Sequence, residues 1–287
     1  MKLLLVDIGN TTADFRLYNA KDGSLTPLIR PLSQDSVLSD TAAIKRKLDQ
    51  FEISFDAVVY VSVVPDLNSL IRAIADLYQI PVYSLRHDLP VDWSRFSLKN
   101  IHLLGADFVA NFYGVEAAYQ YQNCAVVALG TATTIFVVEN GKFVGTTISP
   151  GIQSSLQGLF AQAALLSEMD YALQEGVLGF NTFESISIGT INGHYHMIMG
   201  LIAEIKKRYP IEKILFTGGN LHYYADAPFK GEIIFDETLI FKGLVYLYHQ
   251  LHSELHSEQR SDHSATAIVE NRPQGDLEEN AQSKRAI

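Results

Sequence analysis

The stretch LVDIGNTTADF at residues 5–15 returns without a gap as VVALGTATTIF at residues 126–136. Gly9 falls on Gly130 and Thr12 on Thr133, and each copy reads as an apolar run, a small polar turn and a second β-type run. Gly and Asn tolerate positive φ, so the first copy has the residues of a tight hairpin. A chain whose two halves open in the same way is constrained to a duplicated architecture. One position breaks the echo: Asp7 in the first copy stands where the second has Ala128.

The segments that follow each hairpin support the duplication. After the runs KLLLVD and TADFRLY, a helix is expected over 36–51. DAVVYVSVVP is a continuous apolar run of the kind found in a strand covered on both faces, and Pro65 ends it. DLNSLIRAIADLY places Leu67, Leu70, Ile71, Ile74 and Leu77 at helical spacing, and PVYSL reads as another strand. The second half gives a strand, the Gly-Thr turn, a strand, an Asn140-Gly141 hairpin and a third strand, then helices expected over 153–166 and 184–208. IEKILFTGG and EIIF read as strands, and ETLIFKGLVYLYHQL as a closing helix. The division expected is an N-terminal α/β domain over 1–120 and a C-terminal one over 121–251. From 252 to 287 there is no aromatic residue and little aliphatic material, which predicts a disordered tail.

Composition narrows the function. The net charge of −10 and the lack of any long basic run argue against a nucleic-acid or anionic-membrane surface, which needs clustered Lys and Arg. The single cysteine, Cys124, lies in an apolar lead-in and rules out a disulfide within the chain. No secretory leader and no membrane-spanning run is read from the sequence, so a cytoplasmic protein is expected.

A turn of Gly, Asn and Thr presents backbone N–H groups and hydroxyls with little side-chain bulk, which suits phosphate oxygens. Two such turns, one from each half, would clamp a polyphosphate. Asp7 would repel bare phosphate, but it suits a bridging Mg²⁺, bound directly or through water. TGGN at 217–220 leaves a strand end where backbone can approach a flat ligand such as adenine, or it is a plain loop. Asp107 follows Gly105 at the head of the helical run FVANFYGVEAAYQY, either as a helix cap or as a carboxylate aimed at substrate. The histidines do not form a metal site by spacing: His194 and His196 point to different sides of one helix, His222 has no partner at useful spacing, and His87 and His102 are isolated.

This constellation resembles the superfamily of actin, sugar kinases, acetate kinase and the heat-shock chaperone ATPases, and within it type III pantothenate kinase. DIGNT at 7–11 and GTATT at 130–134 are similar to that family's two phosphate motifs, and LGAD at 104–107 to its catalytic motif. ISPGIQSSL, FNTFESISIG, FTGGN and DETLIFKGL follow in the family's order over residues 1–250.

The resemblance implies two duplicated ribonuclease H-like, actin-like ATPase domains with the active site in the cleft between them. It implies transfer of the γ-phosphoryl of ATP to pantothenate, with Mg²⁺, in a cytoplasmic homodimer at the first step of coenzyme A biosynthesis. Asp107 would be the catalytic base. Asp7, Ile8, Gly9, Asn10, Thr11, Thr12, Gly130, Thr131 and Ala132 would bind ATP, with Asp7 also holding the metal. Gly105, Ala106, Asp107, Phe108 and Thr182 would bind pantothenate.

The departures from the family pattern are clustered. Ala128 replaces the aspartate that holds a monovalent cation, K⁺ or NH₄⁺, so that site is expected to be lost. Phe108 replaces an arginine near the substrate carboxylate, and Leu98 and Ile101 replace a tyrosine and a proline. Two functions stay open on the sequence: an active pantothenate kinase with altered cation dependence, and a catalytically impaired paralogue that keeps the nucleotide clamp for binding or regulation.

Overall fold

A computed structural model gives the arrangement of the chain; it describes residues 1–35, 38, 40–224 and 233–270, excepting the side chains of 255–270. Met1–Tyr248 form one compact unit and His249–Ile287 a second. The strands are β1 (Lys2–Ile8), β2 (Ala13–Asn19), β3 (Ser24–Ile29), β4 (Ala57–Ser62), β5 (Val82–Ser84), β6 (Cys124–Leu129), β7 (Ala132–Glu139), β8 (Lys142–Pro150), β9 (Lys213–Thr217) and β10 (Ile233–Phe235). The α-helices are α1 (Thr41–Asp49), α2 (Asn68–Tyr78), α3 (Ala106–Ala118), α4 (Ile152–Gln162), α5 (Thr182–Ser187), α6 (Gly193–Lys206) and α7 (Leu239–Glu270).

The strands form two five-stranded sheets, ordered β3-β2-β1-β4-β5 and β10-β9-β6-β7-β8. Read from β8, the second order repeats the first. In each sheet three antiparallel strands carry the hairpins, and two further strands add in parallel through helical crossovers. The echo in the sequence is therefore a duplication of an α/β unit, the arrangement of two ribonuclease H-like domains.

Strand alternation decides what each face meets. In β1 the side chains of Leu4, Val6 and Ile8 join Ile44 and Leu48 of α1 and Ile71 and Ile74 of α2 in one core. In β6 those of Ala125, Val127 and Leu129 join Ile152, Leu156, Ile186, Ile198 and Ile202 of α4, α5 and α6 in a second. The opposite faces belong to α3 and α7. Phe108 of α3 packs edge-on against Phe136 and Phe143 of the second sheet, with ring centroids 6.1 and 6.0 Å apart. Arg16 of the first sheet lies over Phe241 of α7 at 4.9 Å. The two helices approach each other through Gly114 and Gly243, where a Cβ would overlap the backbone of Leu239 and Ala110 respectively.

Three expectations change. Asn140 and Gly141 take positive φ (49° and 71°), as their hairpin requires, but Gly9 and Asn10 do not. A Cβ on Gly9 would meet only Thr12 O, at 3.4 Å, so this glycine leaves open space rather than serving a left-handed bend. The expected helix over 184–208 starts at Thr182 and passes through a π turn at Ile188–Asn192 before α6. Finally, α7 runs on to Glu270, into the stretch expected to be disordered. That stretch lacks Pro and Gly until Pro273, so no helix breaker stops a helix already started at Leu239. Residues 271–287 lie outside the described residues. Among the described residues no helix is long and apolar enough to cross a membrane.

Candidate active site

The two echoed turns meet. Thr11 Oγ1 and Thr131 Oγ1 are 2.6 Å apart, a hydrogen bond joining positions 120 residues apart in sequence. Each turn is held by its carbonyls. In the first, Ser33 Oγ donates to Gly9 O at 2.6 Å, and the N–H of Ser33 donates to Thr11 O at 2.8 Å. In the second, Thr131 O accepts from the N–H of Gly151 at 2.9 Å and from Ser154 Oγ at 2.7 Å, while Asn220 Nδ2 donates to Gly130 O at 3.1 Å. Among the described residues, the N–H groups of Asn10, Thr11 and Thr131 donate to no backbone carbonyl. Carbonyls tied back with amides left forward make a cradle for anionic oxygens.

Both turns open into one cavity of about 1320 Å³ that also receives Asp7, Asp107, Ala128 and the loop Thr217–Asn220. Gly218 takes φ 99°, and a Cβ there would collide with Leu129. That glycine lets the loop close on the base of the second turn, where the N–H of Asn220 donates to Leu129 O at 3.0 Å.

Asp7 is the penultimate residue of β1, opposite its cross-strand partner Asp14. Burial, then the nearby carboxylates Asp107 and Asp14, push its pKa up from 3.8 to about 7, against the pull of Arg30 and Arg16. Asp107 stands in the first turn of α3. Burial raises its pKa too, and the N–H groups of Phe108 and Asp107 oppose the rise. Its carboxylate folds back over Gly105, where a Cβ would overlap Oδ1. The cavity thus concentrates carboxylates at high energetic cost, an arrangement that fits a divalent cation brought in with phosphate oxygens. Among the described residues, no group of three or more His, Cys, Asp or Glu side chains could hold a metal ion by itself.

Of the residues expected to bind ATP, Asp7, Gly9, Asn10, Thr11, Thr12, Gly130, Thr131 and Ala132 all line this cavity. Ile8 does not: its side chain is buried in the first core, leaving only its backbone near the turn. The residues expected to bind substrate are divided. Asp107 lines the cavity and Gly105 makes room for it. Ala106 is buried, Phe108 belongs to the aromatic cluster beneath α3, and neither Leu98 nor Ile101 lines the cavity.

Thr182 opens α5 and lines a second pocket, of about 490 Å³, with Phe180 and Asn181. The helices α4 to α6 cover the face of the second sheet opposite the one that meets α3, so Thr182 and Asp107 do not share a pocket within this chain. Ala128 faces the cavity and pairs across the strands with Thr134, which also lines it. A methyl group there supplies no charged oxygen, so the residues present do not fit the carboxylate-held monovalent cation of the family pattern.

Other lining residues escape the motif reading. Asp14 and Arg16 are nearly buried inside β2, where Arg16 Nη2 binds Asp14 Oδ2 at 3.0 Å and Nη1 reaches Glu237 Oε1 at 3.3 Å across the cleft. The signal was present, since charges interrupt an otherwise apolar strand. Asn111, one turn beyond Asp107, and Thr134 each bury a side-chain oxygen with no hydrogen-bond partner. His194 is engaged elsewhere: its Nε2 lies 2.7 Å from Thr133 Oγ1, and burial lowers its pKa. Burial pushes the Cys124 thiol up to about 12, which leaves it unreactive.

The family model described as type III pantothenate kinase matches residues 3–204. A type III pantothenate kinase from Borrelia hermsii is 33% identical over 222 residues, covering 76% of this chain and 82% of that protein. One from Mycoplasma mobile is 31% identical over 247 residues, covering 85% of this chain and 98% of that protein. Among solved structures, a conserved Baf family protein from Campylobacter jejuni superposes with a TM-score of 0.53 at 22% identity, over 86% of this chain and 98% of its own, a likeness of fold.

Proposed function

The chain belongs to the type III pantothenate kinase family, and from that premise we propose how its residues carry out the reaction. The protein transfers the γ-phosphoryl group of ATP to the primary hydroxyl of pantothenate, a step of coenzyme A biosynthesis. The observation that carries the assignment of parts is the 2.6 Å bond between Thr11 and Thr131, which sets the two amide cradles side by side in the cavity that holds Asp7 and Asp107.

In phosphoryl transfer the protein chiefly positions the reactants and stabilises charge on the transferring oxygens. The amides of Asn10, Thr11 and Thr131 hold phosphate oxygens, and Gly9 and Gly130 keep the approach open. Asp7 would hold Mg²⁺, directly or through water, and the ion when bound would supply neutralisation of the phosphate charge. Asp107 accepts the proton of the pantothenate hydroxyl. A carboxylate whose pKa is raised by burial is the stronger base for that task. The loop Thr217–Asn220 receives the adenine end. Gly105 and the head of α3 border pantothenate, and the contact expected from Phe108 has no support within the cavity.

Ala128 leaves no carboxylate for K⁺ or NH₄⁺, and turnover is expected without either. The protein works as a homodimer in the cytoplasm in this reading. Support for the dimer comes from the exposed Leu165, Val177, Leu178 and Phe180 in the second half, and support for the compartment from the unpaired Cys124. No observation favours an impaired paralogue.

ADP release by purified protein with ATP and Mg²⁺, with and without pantothenate and in K⁺ or Na⁺, is the test. Pantothenate-dependent release at equal rates in both salts is expected. Release indifferent to pantothenate would refute the assignment.

A further inference from the structure

The cavity between the lobes is short of positive charge. Its carboxylates are Asp7, Asp14, Asp107 and Glu237, and among the described lining residues its fixed cations are Arg16 and Arg30. Arg16 is spent: its guanidinium is nearly buried, bonded to Asp14 and Glu237 and seated on Phe241. Arg30 differs. It leaves the end of β3 with 47% of its side chain exposed, and its Nε stands 3.9 Å from Asp14 Oδ2. Its Nη2 lies against Gly219, where any Cβ would overlap it. The side chain therefore crosses from the first lobe to the glycine loop of the second, with donors left over. A guanidinium has five N–H donors in a planar fork suited to phosphate oxygens.

We propose that Arg30 is a nucleotide-binding residue of this chain: it donates to the polyphosphate of ATP and supplies, as a fixed side-chain charge, the compensation that Ala128 no longer recruits from a monovalent cation. The proposal rests on the kinase reading above. Three features converge on it. Arg30 sits between the phosphate turns and the glycine loop, so a nucleotide running from one to the other passes its exposed face. The guanidinium lies against Gly219, in the space that a Cβ there would take. The second turn carries Ala128 and contributes no charged group of its own.

The test is calorimetric binding of a non-hydrolysable ATP analogue with Mg²⁺, and of adenosine, to wild type and Arg30→Gln, in KCl and in NaCl. Wild type is expected to bind the analogue equally in both salts. Arg30→Gln is expected to weaken the analogue about tenfold to a hundredfold, the loss of a charge-assisted fork, and to leave adenosine within about twofold. Arg30→Lys, which keeps the charge without the fork, falls between.

Unchanged analogue affinity in Arg30→Gln overturns the proposal, as does equal weakening of adenosine, which would mark a structural role. A raised KM for pantothenate with unchanged analogue affinity assigns Arg30 to the other substrate and overturns it as well. A wild type that binds the analogue far better in KCl than in NaCl overturns the replacement of the cation. Wild type that binds neither ligand fails the kinase reading itself, and this inference with it.

Discussion

The two turns share one backbone plan and differ in charge. The first joins β1 to β2 and has Asp7 at its entrance, Asp14 across from it and Arg16 and Arg30 beyond. The second joins β6 to β7 and has Ala128 paired with Thr134, with serine, asparagine and glutamine around it. Both tie their carbonyls back and, among the described residues, leave amides with no backbone acceptor: Asn10 and Thr11 in the first, Thr131 in the second. The cradle is thus a property of the duplicated fold, while the ionic chemistry has collected on one copy. An active site at a duplication interface needs two clamps but only one place to hold a metal.

The largest expected effect lies outside both turns. Asp107→Asn removes the proton acceptor and should lower kcat by about 10² to 10⁴-fold, while calorimetry finds the affinity for the ATP analogue within about twofold. A matching loss of nucleotide affinity would make Asp107 part of the clamp instead.

Asp7→Asn comes next, and its effect depends on pH. The folded protein holds the Asp7 carboxyl at about 7, above its ordinary 3.8. The neutral form is the one the ligand-free fold prefers, so this group's contribution to stability is complete below about pH 4 and is lost as pH rises through about 7. Wild-type Tm without ligand should therefore decline from pH 5 to 8 more steeply than that of Asp7→Asn. Affinity for the Mg²⁺ nucleotide should climb about tenfold between pH 6 and 8 in wild type and stay flat in the variant. Parallel Tm profiles would sink the claim that Asp7 is the strained acid.

The bond between the turns is a smaller term. Thr11→Val and Thr131→Val each remove one hydroxyl of a neutral pair, and either should weaken nucleotide binding by about twofold to tenfold. The double variant should lose little more than either single one, because both report the same bond. Additive losses would mean that each hydroxyl acts on the nucleotide separately.

The smallest effect sharpens the asymmetry directly. Ala128→Asp returns a carboxylate to the second turn, opposite Thr134. Turnover in that variant should respond to K⁺ by about twofold or more, where wild type does not; this expectation follows from hard cations preferring charged oxygen ligands. Indifference to K⁺ in both proteins would show that position 128 does not control the cation.

Much of this was legible in the sequence, and the parts that were not share a cause. Apolar runs broken by small polar turns identify β1, β2, β6 and β7, because hairpins are local. The charged pair Asp14–Arg16 was visible as charge inside an apolar strand, but its partner Glu237 lies 221 residues away, beyond any local pattern. Arg30 carried no signal at all; its place depends on Gly219, brought near by the pairing of β6 with β9. That Thr182 and Asp107 line different pockets of this chain was not legible either, because motif order says nothing about which face of a sheet a helix covers. The helical run to Glu270 was missed because composition reports the lack of a core, whereas a helix already started needs only propensity to continue.

Hydrogen–deuterium exchange tests the central claim most directly, read at the amides of Gly9–Thr12 and Gly130–Ala132 with and without the Mg²⁺ complex of a non-hydrolysable ATP analogue. One ligand gripped by both turns should slow exchange in both segments at the same nucleotide concentration. Protection confined to one turn, or appearing at different concentrations in the two, would contradict a shared clamp.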